Sequence, residues 1–360
     1  MTITPPPPTE TRFAPINRAY GDVFRPNRLS VGLVIPIETY AGPVPTMERH
    51  VERVRLAEDL GFTAVWMRDV PFNVVSFGDA GQTFDPFVYL GLLAGATNRI
   101  ALGVASIILP LRHPAHVAKA AASADVLSGG RLLLGVASGD RPDEFPAMAV
   151  PYEERGARFR AAFDYLTRMS QRAPAVESPY GRTHHLMDLL PKPTGGRTPL
   201  LITGSSQQSP DWIAGHGDGW MTYPRARVAD QARVVADWRD RVDAAGRDPK
   251  PVMQPLYVDL DPDPGASARP IHLGARIGAD RLRDHLAELQ DVGINHVALN
   301  LRFHRGSVED ALAVIADRVL PHFHDTGGNS TATDHAARTP AHVTTDTETD
   351  TGTNQETSTR

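Results

Sequence analysis

Short apolar runs alternate with longer amphipathic segments along almost the whole chain. The runs predict strands at Leu29–Ile37, Thr63–Met67, Ile100–Leu109, Leu132–Ala137, Thr198–Ile202, Gly219–Thr222, Val252–Leu260 and His296–Leu301. Ile100–Leu109 and Leu132–Ala137 are apolar on successive residues, as strands buried on both faces are. Between the runs, helices are predicted at Met47–Leu60, from Asp85-Pro86 to about Leu93, at His116–Leu127, Phe159–Met169, Asp211–His216, Val228–Ala245, Ala279–Val292 and Val308–Val319. Leu282, Leu286 and Leu289 share one face of the seventh of these. Gly61, Gly129-Gly130 and Gly293 stop three of them.

The stretch from Asn98 to Asp140 is the organising unit: strand, helix, strand, with a crossover long enough to make the strands parallel. Its strands end in small or polar residues, Ala105-Ser106 and Ala137-Ser138-Gly139-Asp140, which leave room for a ligand on the backbone. About eight such strands alternate with helices, and no Gly-x-Gly-x-x-Gly follows the first. Alternation alone allows a doubly wound sheet or a closed barrel.

The two ends read differently. Residues 1–28 are Pro-rich, with Pro5–Pro8 in a row, and predict a flexible arm. After Asp325 the composition collapses into Thr, Asp, Glu, Asn, Gly and Ala, so residues 326–360 are expected to be a disordered tail. The folded domain is expected over residues 29–325.

Composition narrows the function. A net charge of −5 gives no sign of a nucleic-acid partner. The absence of cysteine removes disulfides, thiolate catalysis and cysteine-ligated metals. No run approaches a membrane span, and no signal segment opens the chain, so a cytoplasmic location is expected. His184-His185 lies in an expected insertion, Ala173–Arg197, with no carboxylate spaced to complete a metal site.

Candidate chemistry sits at strand ends. Arg68 and Asp69 follow the second strand; if the fold is a barrel, that is its active-site face, and the two are candidate catalytic residues, although they could simply pair as an ion bridge. Tyr152 and Arg155 precede a helix and could reach a phosphate or a substrate anion; an N-terminal helical turn with satisfied charges explains them too. Gly204-Ser205-Ser206 is a turn leading into a helix, a source of amides and hydroxyls for an anion; a plain Ser-rich cap explains it too.

Leu102–Pro110, His113-Pro114, Leu127–Arg131 and Leu134-Gly135 together resemble the luciferase-like monooxygenase superfamily, from about Val31 to about Phe323. The resemblance implies a (β/α)8 TIM barrel with insertions, and a flavin-dependent oxidoreductase. It implies reduced FMN as co-substrate, with a small organic substrate, O2 and a separate flavin reductase. It also implies a homodimer. By resemblance, Ala105-Ser106 is a cis peptide under the flavin ring. Ser138, Gly139, Tyr152, Arg155, Gly204, Ser205 and Ser206 lie toward the cofactor and its phosphate. Two departures stand out: Val70 replaces a histidine frequent in relatives, and Ser138 stands where luciferase presents an arginine, which predicts weak, reversible flavin binding. The strand-end motif Arg68–Pro71, with His272-Leu273-Gly274 and Asn295–Asn300, resembles a subgroup of luciferase-type oxidoreductases. The alternatives are an F420-dependent hydride-transfer enzyme on the same fold and a non-catalytic flavin-binding barrel.

Overall fold

A computed structural model describes residues 13–324. Eight parallel strands close on themselves: β1 (Ser30–Val34), β2 (Ala64–Met67), β3 (Ala101–Ile108), β4 (Leu132–Ala137), β5 (Leu200–Thr203), β6 (Gly219–Met221), β7 (Val252–Leu260) and β8 (His296–Asn300). Closure is made by β8 pairing β1, with Ser30 opposite His296, and by β6 pairing β7, with Trp220 opposite Val252. Helices follow every strand and cover the outside, so the fold is a (β/α)8 barrel. The strands are buried along nearly their whole length, which explains why they are apolar on both faces.

The N-terminal residues depart from expectation. Residues 13–28 are no free arm: Phe13, Ile16, Ala19, Tyr20, Val23 and Phe24 are buried, in one cluster with Trp66, Leu133 and Met253 of the barrel. A short helix, Arg18–Val23, is capped by Asn17, whose amide also donates to Asp125 and to the Leu132 carbonyl at 2.8 Å. Tyr20 Oη donates to the Asp218 carbonyl at 2.6 Å, at the start of β6. This helix therefore plugs the end of the barrel where the strands begin. Proline content masked a segment whose apolar residues recur at helical spacing. Residues 1–12, which include Pro5–Pro8, and the expected tail 326–360 lie outside the described residues.

Most other boundaries fall within a few residues of the pattern. The helix expected from Phe159 starts at Arg155, because Tyr152–Glu154 form a 3-10 turn leading into it. The loop expected at Asp261–Gly274 contains a strand, Arg269–Ile271, paired antiparallel with Gly274–Ile277, which adds to β7 at the barrel rim. The insertion Ala173–Arg197 carries a two-stranded hairpin, Glu177–Ser178 with Gly181–Arg182.

Candidate active site

All eight strands point their C-terminal ends at one rim, and the loops after them build the site. Ala105 and Ser106, at the end of β3, are joined by a cis peptide. The pairing of β3 with β4 shifts register there, between Val104 and Ile107. Ala105 and Ser106 are half-buried there and carry small side chains.

The next two strands bring the expected phosphate residues together. Ser138 follows β4 and is buried; Gly139 comes next with φ of 84°, and a Cβ there would meet Ile108 Cγ2 at 2.8 Å and the Phe145 ring at 3.0 Å. Phe145 stacks edge-on against Tyr152 at 5.0 Å. The Arg155 guanidinium lies over the Tyr152 ring, 3.7 Å from its centroid, and Nη1 donates to the Tyr152 carbonyl. Arg155 Nε is buried and meets no acceptor. After β5, Gly204, Ser206 and Gln207 have φ of 55°, 45° and 58°, a tight turn in which the backbone N–H of Gly204 donates to the Met221 carbonyl at 2.9 Å and that of Gln208 to the Ser205 carbonyl at 2.8 Å. The Gln208 amide donates to the Gly156 carbonyl at 2.9 Å, which fixes this loop against the start of the Arg155–Met169 helix. Ser205 is exposed, whereas Ser206 is buried and its hydroxyl donates to the Thr203 carbonyl at 2.7 Å. The residues thus fit an anionic group: Arg155 carries an unpartnered guanidinium N–H beside Gly156, against which the turn with the exposed Ser205 is fixed.

Arg68 and Asp69 part company. They do not pair with each other. Asp69 turns away from Arg68, and its side chain is only 1% exposed. Oδ1 and Oδ2 accept from Nη2 and Nε of Arg112 at 2.7 and 2.9 Å, and Oδ2 also accepts the Ile108 amide at 3.1 Å. Arg112 Nη2 reaches on to Asp85, the cap of the Pro86–Ala96 helix, at 2.8 Å. Asp69 therefore clamps the ends of β2 and β3, a positioning role. Burial works against the charge of Arg112, but its two carboxylate partners raise its pKa further.

Arg68 belongs to a second network, which sequence reasoning missed. Its Nη1 pairs with Asp79 at 2.9 Å, and Arg302 pairs with the same carboxylate at 2.8 Å. Tyr40 donates to Asp79 Oδ1 at 3.1 Å, and Arg141 Nη2 donates to the Asp79 carbonyl at 2.8 Å. The loop after β2 is thereby tied to the loops after β1, β4 and β8. Gln82 holds the start of the loop, accepting the Arg68 amide at 2.8 Å through Oε1 and donating to the Arg68 carbonyl through Nε2. Burial pushes the Asp79 carboxyl up, yet Arg68 and Arg302 outweigh this and hold it below the usual range. Burial pulls Arg141 down, and it pushes the neighbouring Glu144 up to about 7, with Arg141 opposing. Tyr257 and Tyr223 face Arg68 from β7 and the loop after β6, their hydroxyls raised by burial.

His184 and His185 lie in the exposed insertion. Among the described residues, no group of three or more histidines or carboxylates gathers to hold a metal.

The sequence profile of the luciferase-like monooxygenase family matches residues 29–321. An uncharacterised protein of Mycobacterium tuberculosis is 33% identical over 241 residues, covering 61% of this chain and 82% of its own. The F420-dependent hydroxymycolic acid dehydrogenase of the same organism is 30% identical over 230 residues, covering 62% of this chain and 60% of its own. Among solved structures, monooxygenase RslO1 from Streptomyces bottropensis superposes with a TM-score of 0.69 at 20% identity, covering 82% of this chain and all of that one, a likeness of fold. This chain belongs to the luciferase-like monooxygenase family.

Proposed function

We propose that the chain is an oxidoreductase that takes reduced FMN as co-substrate and oxygenates a small organic molecule with O2. The observation that carries this reading is the corner at the ends of β4 and β5, where the Arg155 Nε–H lacks an acceptor beside the Gly204–Gln207 turn. Arg155, Ser205 and the backbone of Ser206 would hold the phosphate. Ser138 would add a hydrogen bond without a charge. Ala105-Ser106 would lie against the ring. When bound, the flavin supplies the electron and oxygen chemistry, for which cysteine-free side chains have no substitute. The protein orients, and the loop after β2 keeps water from the rim. Arg68 faces the substrate side, and Asp69 holds the strand ends in place. A phosphate corner resting on one arginine favours loose, exchangeable flavin, and hence a separate reductase and a cytoplasmic setting.

A second reading keeps the site and replaces FMN with F420, in a hydride transfer that needs no oxygen. It is favoured by the 30% identity to a relative named for F420 dependence. Oxygen uptake with reduced FMN and a substrate panel supports the first reading; oxidation or reduction of F420 under argon supports the second. Flavin binding with no turnover of either kind would make the chain a flavin-binding barrel.

A homodimer is part of the proposal. The Pro86–Ala96 helix is apolar nearly all round, and its outer face exposes Val88, Gly91, Leu92 and Gly95. Added Cβ atoms at Gly91 and Gly95 meet nothing, so a second helix could approach closely.

A further inference from the structure

Arg112 shows what a satisfied arginine looks like at this rim: its Nε and Nη2 edge grips both oxygens of Asp69. Arg68 has the same edge without an acceptor. Its Nη1 serves Asp79, but Nε and Nη2 are both buried without an acceptor. Two parallel N–H donors on one guanidinium edge match the two oxygens of a carboxylate or sulfonate, and leaving them unmade is costly. The residue lying against this edge is Gly81, where an added Cβ would stand 3.0 Å from Nε and 3.2 Å from Nη2. The Arg68 side chain as a whole is 22% exposed.

The surroundings favour a further negative charge. Asp79 serves two guanidinium groups, Arg68 and Arg302. Arg141 adds a third beside them, with Nη1 also lacking an acceptor. Against these stand Asp79, the exposed Asp140 and the buried carboxyl of Glu144. Arg68 follows β2 and Arg302 follows β8, the two strands that flank β1, while the proposed phosphate residues follow β4 and β5; Arg141, in the loop after β4, joins the cluster to that side.

We propose that the substrate carries an oxyanion, a carboxylate or sulfonate, and that the Nε/Nη2 edge of Arg68 binds it, with Gly81 yielding and Arg141 contributing charge. This rests on the reading of the rim as the substrate chamber of a cofactor-dependent oxidoreductase.

The test uses three probes of equal chain length, hexanoate, hexanesulfonate and hexanamide, titrated calorimetrically into the full-length protein, with FMN and F420 titrated in parallel. The two anions are expected to bind at least about tenfold more tightly than the amide. Arg68→Gln should abolish that preference while leaving cofactor affinity within about twofold. Arg68→Lys, which keeps the charge but lacks the fork, should retain only part of it. Should Arg68→Gln prove unstable, the wild-type preference and the Arg68→Lys loss still decide. Equal binding of anions and amide, no binding of either anion, or a preference that survives Arg68→Gln overturns the proposal. Anion preference in a protein that binds neither cofactor would uphold this site and remove the oxidoreductase reading; cofactor binding without anion preference would do the reverse.

Discussion

Inside the barrel, the Trp66 indole N–H donates to Nε2 of His296 at 2.8 Å. The other ring nitrogen, Nδ1, lies 2.7 Å from Ser30 Oγ, whose own proton goes to the Val23 carbonyl. The neutral tautomer with hydrogen on Nδ1 satisfies every group in this relay. It links β2, β8, β1 and the N-terminal helix, and so joins the barrel to its plug. Gly32 is its spacer: a Cβ there would lie 2.8 Å from the His296 ring and 2.5 Å from the Ala64 carbonyl.

Replacing His296 with Ala is expected to cost on the order of 3–5 kcal/mol, because it strands the Trp66 donor in a fully buried site and leaves a cavity. Gly32→Ala is expected to destabilise by about 1–3 kcal/mol through overpacking. Urea titration of the two variants against the wild type measures both.

Acid should unfold the protein partly through this residue. Burial pulls the His296 pKa down to about 3 from the ordinary 6.5. Below pH 6.5 the unfolded chain binds a proton there that the folded chain refuses. Stability contributed by neutral His296 is thus fully present above 6.5 and lost as pH falls toward 3, at ~1.4 kcal/mol per pH unit. Glu144 acts in the opposite sense: raised to about 7, it favours the folded state at low pH, an advantage lost as pH rises from its ordinary 4.5 through 7. Glu144→Gln should therefore improve melting temperature relative to wild type more at pH 8 than at pH 4.5. Melting curves across that range check both signs.

Asp69→Asn is expected to destabilise by on the order of 3 kcal/mol, since it breaks a buried bidentate pair and leaves Arg112 partly uncompensated. If Asp69 instead carried out chemistry, activity would fall at temperatures where the variant remains folded. Thermal melts run beside an activity assay separate these outcomes.

How much of this was legible beforehand depended on the range of the interaction. Strands and helices are local, and β4 (Leu132–Ala137) and β7 (Val252–Leu260) match the pattern residue for residue. The residues proposed for the phosphate are carried by turns with their own sequence signatures, so Gly204, Ser205 and Arg155 could be nominated. The Asp79 network could not. Tyr40, Asp79, Arg141 and Arg302 come from four loops and meet only when the barrel closes. Adjacency misled at Arg68-Asp69, because consecutive residues at a strand end point to opposite sides. The plug at residues 13–24 was hidden by the prolines before it. Phe24→Ala should cost about 3–5 kcal/mol, a loss no free arm would show.

The most direct measurement is a fluorescence titration of the purified protein with oxidised FMN, reduced FMN under argon, and F420, repeated on Arg155→Ala. Reversible, selective binding of reduced FMN is expected, weakened at least about tenfold in the variant by loss of a charge-assisted contact. Selective F420 binding would transfer the site to hydride transfer. Binding of none of the three, or reduced-FMN affinity indifferent to Arg155, would contradict the assignment of the β4–β5 corner as the cofactor's anchor.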